Sequence, residues 1–135
     1  MDKHVMRLYQ RLSARGTSHI VGRYAEGCLR GARVIAKFRE LEDTDKVRIV
    51  AEPEQESYFS VYGEPDTAEE RDAMVAELEL NGCWWVCAQV ACPKCGEWQH
   101  VDSVGMCTGY SNPTDPMQNV YVIDLMESAL AAVED

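Results

Sequence analysis

The chain has 135 residues, 46% of them apolar, which is enough for one domain with a real core. No run approaches the roughly 20 apolar residues of a membrane span, and the opening MDKHVMRLYQRLSARG lacks the apolar core of a secretory signal. The net charge of −10 is unevenly spread: residues 1–50 hold eleven Lys or Arg against six Asp or Glu, and residues 51–135 hold two against seventeen.

Residues 4–13 predict a basic amphipathic helix. Val5, Leu8, Tyr9 and Leu12 recur at helical spacing, while Lys3, Arg7, Arg11 and Arg15 form a stripe. Gly16-Thr17-Ser18 stops it. Residues 23–41 fit two patterns. Cys28, Ala32, Ile35 and Arg39 sit at helical spacing, but Gly27 and Gly31 each cost a helix about 1 kcal/mol, and the alternation of Val34, Ala36 and Phe38 favours a strand over 33–40. Glu42–Asp45 then reads as a turn and Val47–Ala51 as the returning strand, with Val47, Ile49 and Ala51 on one face and Pro53 as its stop. Ser57–Tyr62, rich in aromatics, predicts a third strand.

Residues 67–80 predict a helix capped by Asp66, with Glu69 completing a capping box. Met74, Val75 and Leu78 would form its buried stripe, and Asn81-Gly82 its stop. Trp84–Val90 and Trp98–Val104 read as the arms of a hairpin. Gly109–Pro116 is turn-rich. Residues 120–133 predict a closing helix, with Val122, Leu125, Met126, Ala129, Leu130 and Val133 on one face. The expected fold is a single α+β domain over 1–135: an antiparallel sheet with two to three helices packed on one side.

Five of the six cysteines and all three tryptophans fall within Gly82–Cys107. Thiols that stay reduced in the cytoplasm, the expected location, serve metal binding or inert burial rather than a disulfide framework. At the centre lies Cys92-Pro93-Lys94-Cys95-Gly96. A tight C-P-x-C-G turn aims two thiolates at one point and lets backbone N–H groups donate to their sulfurs, which suits tetrahedral zinc.

This turn and its flanking strands resemble the zinc knuckles of zinc-ribbon and treble-clef modules, and the resemblance implies a zinc-knuckle hairpin over 83–107. A full ribbon has two such turns, and this chain has one. Two ligand sets complete it. The first is Cys92, Cys95, His100 and Cys107, whose C-x2-C-x4-H opening matches the retroviral-type knuckle, although its last gap is six residues rather than four. Asp102 would orient His100. The second is Cys92 and Cys95 with two of Cys83, Cys87 and Cys107. In a straight hairpin Cys107 falls opposite Cys83, far from the tip, where the two would pack as buried thiols. The expected zinc is structural, since no H-x-E precedes the C-x-x-C to supply a poised carboxylate.

The sequence holds no Gly-rich phosphate loop, G-x-S-x-G or H-E-x-x-H. His4, His19 and Cys28 stand apart from any partner group. The expected function is therefore a non-enzymatic, protein-binding regulator or inhibitor, with Trp84, Trp85, Trp98, Tyr58, Tyr62, Tyr110 and Tyr121 as candidate anchors. The acidic tract of Glu52, Glu54, Glu56, Glu64, Asp66, Glu69, Glu70 and Asp72 is the expected contact for a basic partner, or a mimic of nucleic acid competing for a basic groove. Arg7, Arg11 and Arg15 are the alternative contact, for nucleic acid or an acidic protein. In size and acidity the chain is similar in general character to the small accessory and anti-defence proteins of bacteriophages, which implies an inhibitor of a host protein. The plainer reading of the acids is a solvated surface that keeps a small protein soluble.

Overall fold

The computed structural model describes residues 3–14 and 25–134. Arg15, Gly16-Thr17-Ser18 and His19 lie outside the described residues, as do the side chains of His4, Tyr9, Leu12 and Cys28. Among the described residues, five helices and three strands follow in the order α1 (Lys3–Ala14), α2 (Ala25–Glu42), β1 (Val47–Pro53), α3 (Tyr58–Tyr62), α4 (Ala68–Asn81), β2 (Cys83–Ala91), β3 (Trp98–Thr108) and α5 (Tyr121–Glu134).

The strands form one antiparallel sheet in the order β1-β2-β3. Val47, Ile49 and Ala51 pair with Val90, Ala88 and Val86, so the period-2 apolar sets of β1 and β2 share a face. That face meets α2 and α5 in a single core. It contains Ala32, Ile35 and Phe38 from α2, Val47, Val86, Ala88 and Cys107 from the sheet, and Val122, Leu125, Met126 and Ala129 from α5. Leu8 of α1 reaches the same core and is buried, and Arg30 of α2 pairs with Glu127 of α5 at its rim. The architecture is the expected α+β one, with helices on one side of an antiparallel sheet.

Two segments take a different form from the expected one. Residues 33–40 are helical, inside α2. Ala32, Ile35 and Phe38 bury at three-residue spacing, and this burial outweighs the glycine penalty. The turn after them is a helix ending. Asp43 N–H donates to Arg39 O (3.1 Å), and Asp45 takes a positive φ of 55°. Ser57–Tyr62 is no strand. Tyr58–Tyr62 winds into a short helix closed by a hydrogen bond from Gly63 N–H to Phe59 O (2.8 Å). Its aromatic side chains satisfy one another, with Tyr58 and Tyr62 rings 4.8 Å apart and Arg71 lying 5.0 Å over Phe59. Aromatic richness marks a half-buried surface, and a sheet is only one such surface.

Helix α4 forms where expected, but its cap is Thr67, one residue later than Asp66. The Thr67 hydroxyl accepts from Glu70 N–H (3.1 Å). The helix buries no residue fully. Met74, Val75 and Leu78 are half-buried, and Leu80 is 78% exposed, so the expected buried stripe is a peripheral contact. On α5, Val133 is exposed and Ile123 is buried in its place.

Candidate metal centre and binding face

The hairpin places the cysteines at opposite ends. The ladder runs from Cys83 opposite Thr108 to Ala91 opposite Trp98, with bulges between Trp84 and Val86 and between Ala88 and Gln89. Cys92–Glu97 is its tip. Cys92 N–H donates to Glu97 O (2.8 Å) and Gly96 N–H to Cys92 O (2.8 Å). Gly96 has φ +76°, a conformation that a side chain disfavours. The turn holds Cys92 half-buried and Cys95 exposed. Backbone N–H groups of Cys95 and Lys94, with the Cys95 thiol and the Gly96 N–H, hold the Cys92 thiol below its ordinary value. Hydrogen bonds to sulfur favour the thiolate, the form that binds metal. The turn thus fits two of the donors that a zinc ion takes.

The other expected ligands lie elsewhere. Cys107 pairs with Trp84, eight residues from Cys92, a separation of about 26 Å along the strand. It is buried in the core beside Asn119, whose Nδ2 donates to its sulfur (3.7 Å) and to Pro113 O (3.0 Å). Burial pushes its thiol up, the Asn119 hydrogen bond opposing. Cys83 packs against Met106, sulfur to sulfur at 3.5 Å, at the same end of the hairpin. Cys87 is buried at mid-strand, and burial raises both thiols. His100 pairs with Gln89 and stacks its ring on Trp85 at 5.9 Å, toward the hairpin base and away from the tip. Asp102 does not orient it. Its carboxylate accepts from Ser128 of α5 (2.9 Å) and from Ser103 N–H (2.9 Å), on the core side. Among the described residues no group of three His, Cys, Asp or Glu side chains is placed to hold a metal ion. Neither expected ligand set is assembled within the chain as described.

The sheet face turned away from the core carries the second feature. Arg48, Val50 and Glu52 of β1 pair with Gln89, Cys87 and Trp85 of β2. Arg48 donates to Gln89 (2.7 Å) and lies 4.2 Å over the Trp98 ring. Trp85, Trp98 and Arg48 are half-buried, His100 is exposed and Cys87 is buried, so this face is aromatic and only partly open to solvent. At its end, Glu52, Glu54, Glu56 and Trp85 line a cleft of about 400 Å³. Glu54 braces the cleft by accepting from Met106 N–H (3.0 Å). Gly105 permits that approach, since a Cβ there would sit 3.1 Å from the Glu54 carboxylate.

The remaining candidates divide by environment. Glu64 pairs with Arg71 (2.8 Å). Asp66, Glu69, Glu70 and Asp72 are exposed on α4 and the loop before it, and Arg7 and Arg11 are exposed on α1. Trp84 turns into the core, its indole N–H donating to Asn81 O (2.6 Å), whereas Tyr62 and Tyr121 stand exposed. Sequence reasoning missed Asn119, the one fully buried polar side chain among the described residues. Only its place in a loop rich in Asn, Pro and Asp pointed to it. No helix among the described residues is long and apolar enough to cross a membrane. Comparison of the chain with family profiles, with curated proteins and with solved structures yields no match.

Proposed function

We propose that the protein is a non-enzymatic regulator or inhibitor that binds another protein, with a structural zinc held at its hairpin tip by Cys92 and Cys95. The observation that carries the binding reading is the cleft in which Glu52, Glu54 and Glu56 stand beside the Trp85 ring. Carboxylates beside an indole suit a Lys or Arg side chain, which gains ion pairing and a cation–π contact together. The exposed acids of α4 add to the negative charge of the chain and would help steer a basic partner. The turn supports the zinc reading through its two converging thiols and the N–H groups that stabilise Cys92 as a thiolate.

The test uses arginine-rich peptides followed by tryptophan fluorescence, and capture of a partner from lysate with matched variants. Trp85→Ala should weaken peptide binding about tenfold, the scale of one desolvated cation–π contact. Reversing Glu69, Glu70 and Asp72 to Lys should slow association and flatten its salt dependence, with the fold unchanged by circular dichroism. Unaltered binding in both variants would remove this surface from consideration. A second reading, mimicry of nucleic acid, draws on the exposed Glu52, Glu56, Asp66, Glu69, Glu70 and Asp72. It predicts that DNA or RNA displaces the captured partner, which the peptide reading does not require.

A further inference from the structure

Zinc in a structural site takes four protein ligands. The C-P-K-C-G turn offers two, and the described part of the chain brings no third donor to it. What lies beside the turn is an apolar hollow of about 430 Å³ between the hairpin tip and the end of α5. Val90, Ala91, Pro93, Ala132 and Val133 line it, and Cys92 itself forms part of its wall. Val133, set by helical spacing for burial, is 38% exposed at this place.

We propose that two copies of this chain close across this hollow and share a single zinc ion, each supplying Cys92 and Cys95. The inference rests on the zinc reading above and adds its stoichiometry and its partner. A two-fold axis through the metal relates the copies, so one patch meets itself and the assembly ends at two. Each turn fills two corners of the tetrahedron, and the hollows on either side bury apolar surface that a single copy leaves wet. Four thiolates form as their protons pass to solvent, with no change of oxidation state.

Charge favours this contact in a chain that otherwise repels its own copy. Four thiolates around a divalent cation leave a net charge of about −2. Residues 51–135 contain only two basic side chains, and one of them, Lys94, sits between the two cysteines. Lys46 stands on the rim of the hollow, its carbonyl accepting from Ala91 N–H (2.9 Å). Two copies bring four lysines to the metal cluster and the hollows beside it.

The experiment is native mass spectrometry of the reduced full chain, titrated with zinc alone and backed by light scattering. The expected species has twice the 15.2 kDa chain mass and one zinc, and returns to monomer with a chelator. Cys92→Ser with Cys95→Ser should abolish zinc and dimer together while circular dichroism is retained. Lys94→Glu, beside the metal donors but not itself one, and Ala132→Glu, on the α5 wall of the hollow, should each raise the dimer dissociation constant about tenfold with the monomer still folded. A monomer holding one zinc, or a dimer holding two, would overturn the shared site and leave the zinc reading standing. No zinc at all, or a zinc-independent dimer, would overturn the inference, and the first of these would take the zinc reading with it. The peptide-binding test at Trp85 is unaffected by any of these results, so failure of the two readings can be told apart.

Discussion

At the tip of the β2–β3 hairpin Cys95 is exposed and Cys92 has its thiol drawn down by backbone N–H groups. At the base, about 26 Å away, Cys107 is buried among core residues with its thiol pushed up. The two arms are continuous and the residue type is the same. The difference lies in what surrounds the sulfur. At the tip, a turn with Gly96 in a left-handed conformation turns peptide dipoles inward onto sulfur. At the base, Asn119 and the α5 core remove water from it. A cysteine therefore becomes a ligand or a small hydrophobe according to the backbone around it, and proximity in sequence says little about which.

Charge placed at each end breaks this comparison most sharply. Cys107→Asp should destabilise the fold by about 3–5 kcal/mol, because the carboxylate has no cationic partner in the core. Cys95→Asp should stay within about 0.5 kcal/mol of the zinc-free parent, since the side chain is solvated. Denaturant melts of the two variants measure the contrast. Equal costs would mean that the tip packs as tightly as the base. Next in size is Asn119→Ala. It leaves Pro113 O without its donor and strips the polar contact from Cys107, at a cost of about 1–3 kcal/mol.

A smaller effect follows pH. Burial holds Cys83, Cys87 and Cys107 above the ordinary thiol value of 9.0. Below pH 9 these thiols stay protonated in both folded and unfolded chains, and their contribution is fully present. As pH rises past 9 the unfolded chain loses its thiol protons first, so stability declines until the folded thiols ionise as well. Melts between pH 8 and about 11 should show that decline in the zinc-free chain. Cys107→Ala should lessen it. A modest effect belongs to α4, where Met74→Asp should cost only about 1 kcal/mol because the helix lies at the periphery.

The sequence was most legible where pattern and packing agree. The β1 alternation of Val47, Ile49 and Ala51, the hairpin arms and the α5 stripe from Val122 to Leu130 all follow from periods of 2 or 3.6 read against a single buried face. It misled where a residue's local preference competes with the core. In α2 the run Val34–Phe38 alternates like a strand, yet Ala32, Ile35 and Phe38 bury together only on a helix. In α3 the aromatic side chains found partners within their own turn. The tip was legible because C-P-x-C-G fixes its own geometry within five residues. His100 and Cys107 were not, because their fate depends on register. A regular ladder from the tip sets His100 opposite Gln89, where its ring stacks on Trp85, and the two bulges beyond it set Cys107 opposite Trp84 and in the core.

Alkylation mapped residue by residue, with and without zinc, tests the division between tip and base most directly. In the reduced, zinc-free chain Cys92 and Cys95 should react readily while Cys87 and Cys107 resist. Added zinc should protect Cys92 and Cys95 and change nothing at the other two. Zinc-dependent protection of Cys107, or tip cysteines that stay reactive in excess zinc, would contradict the account.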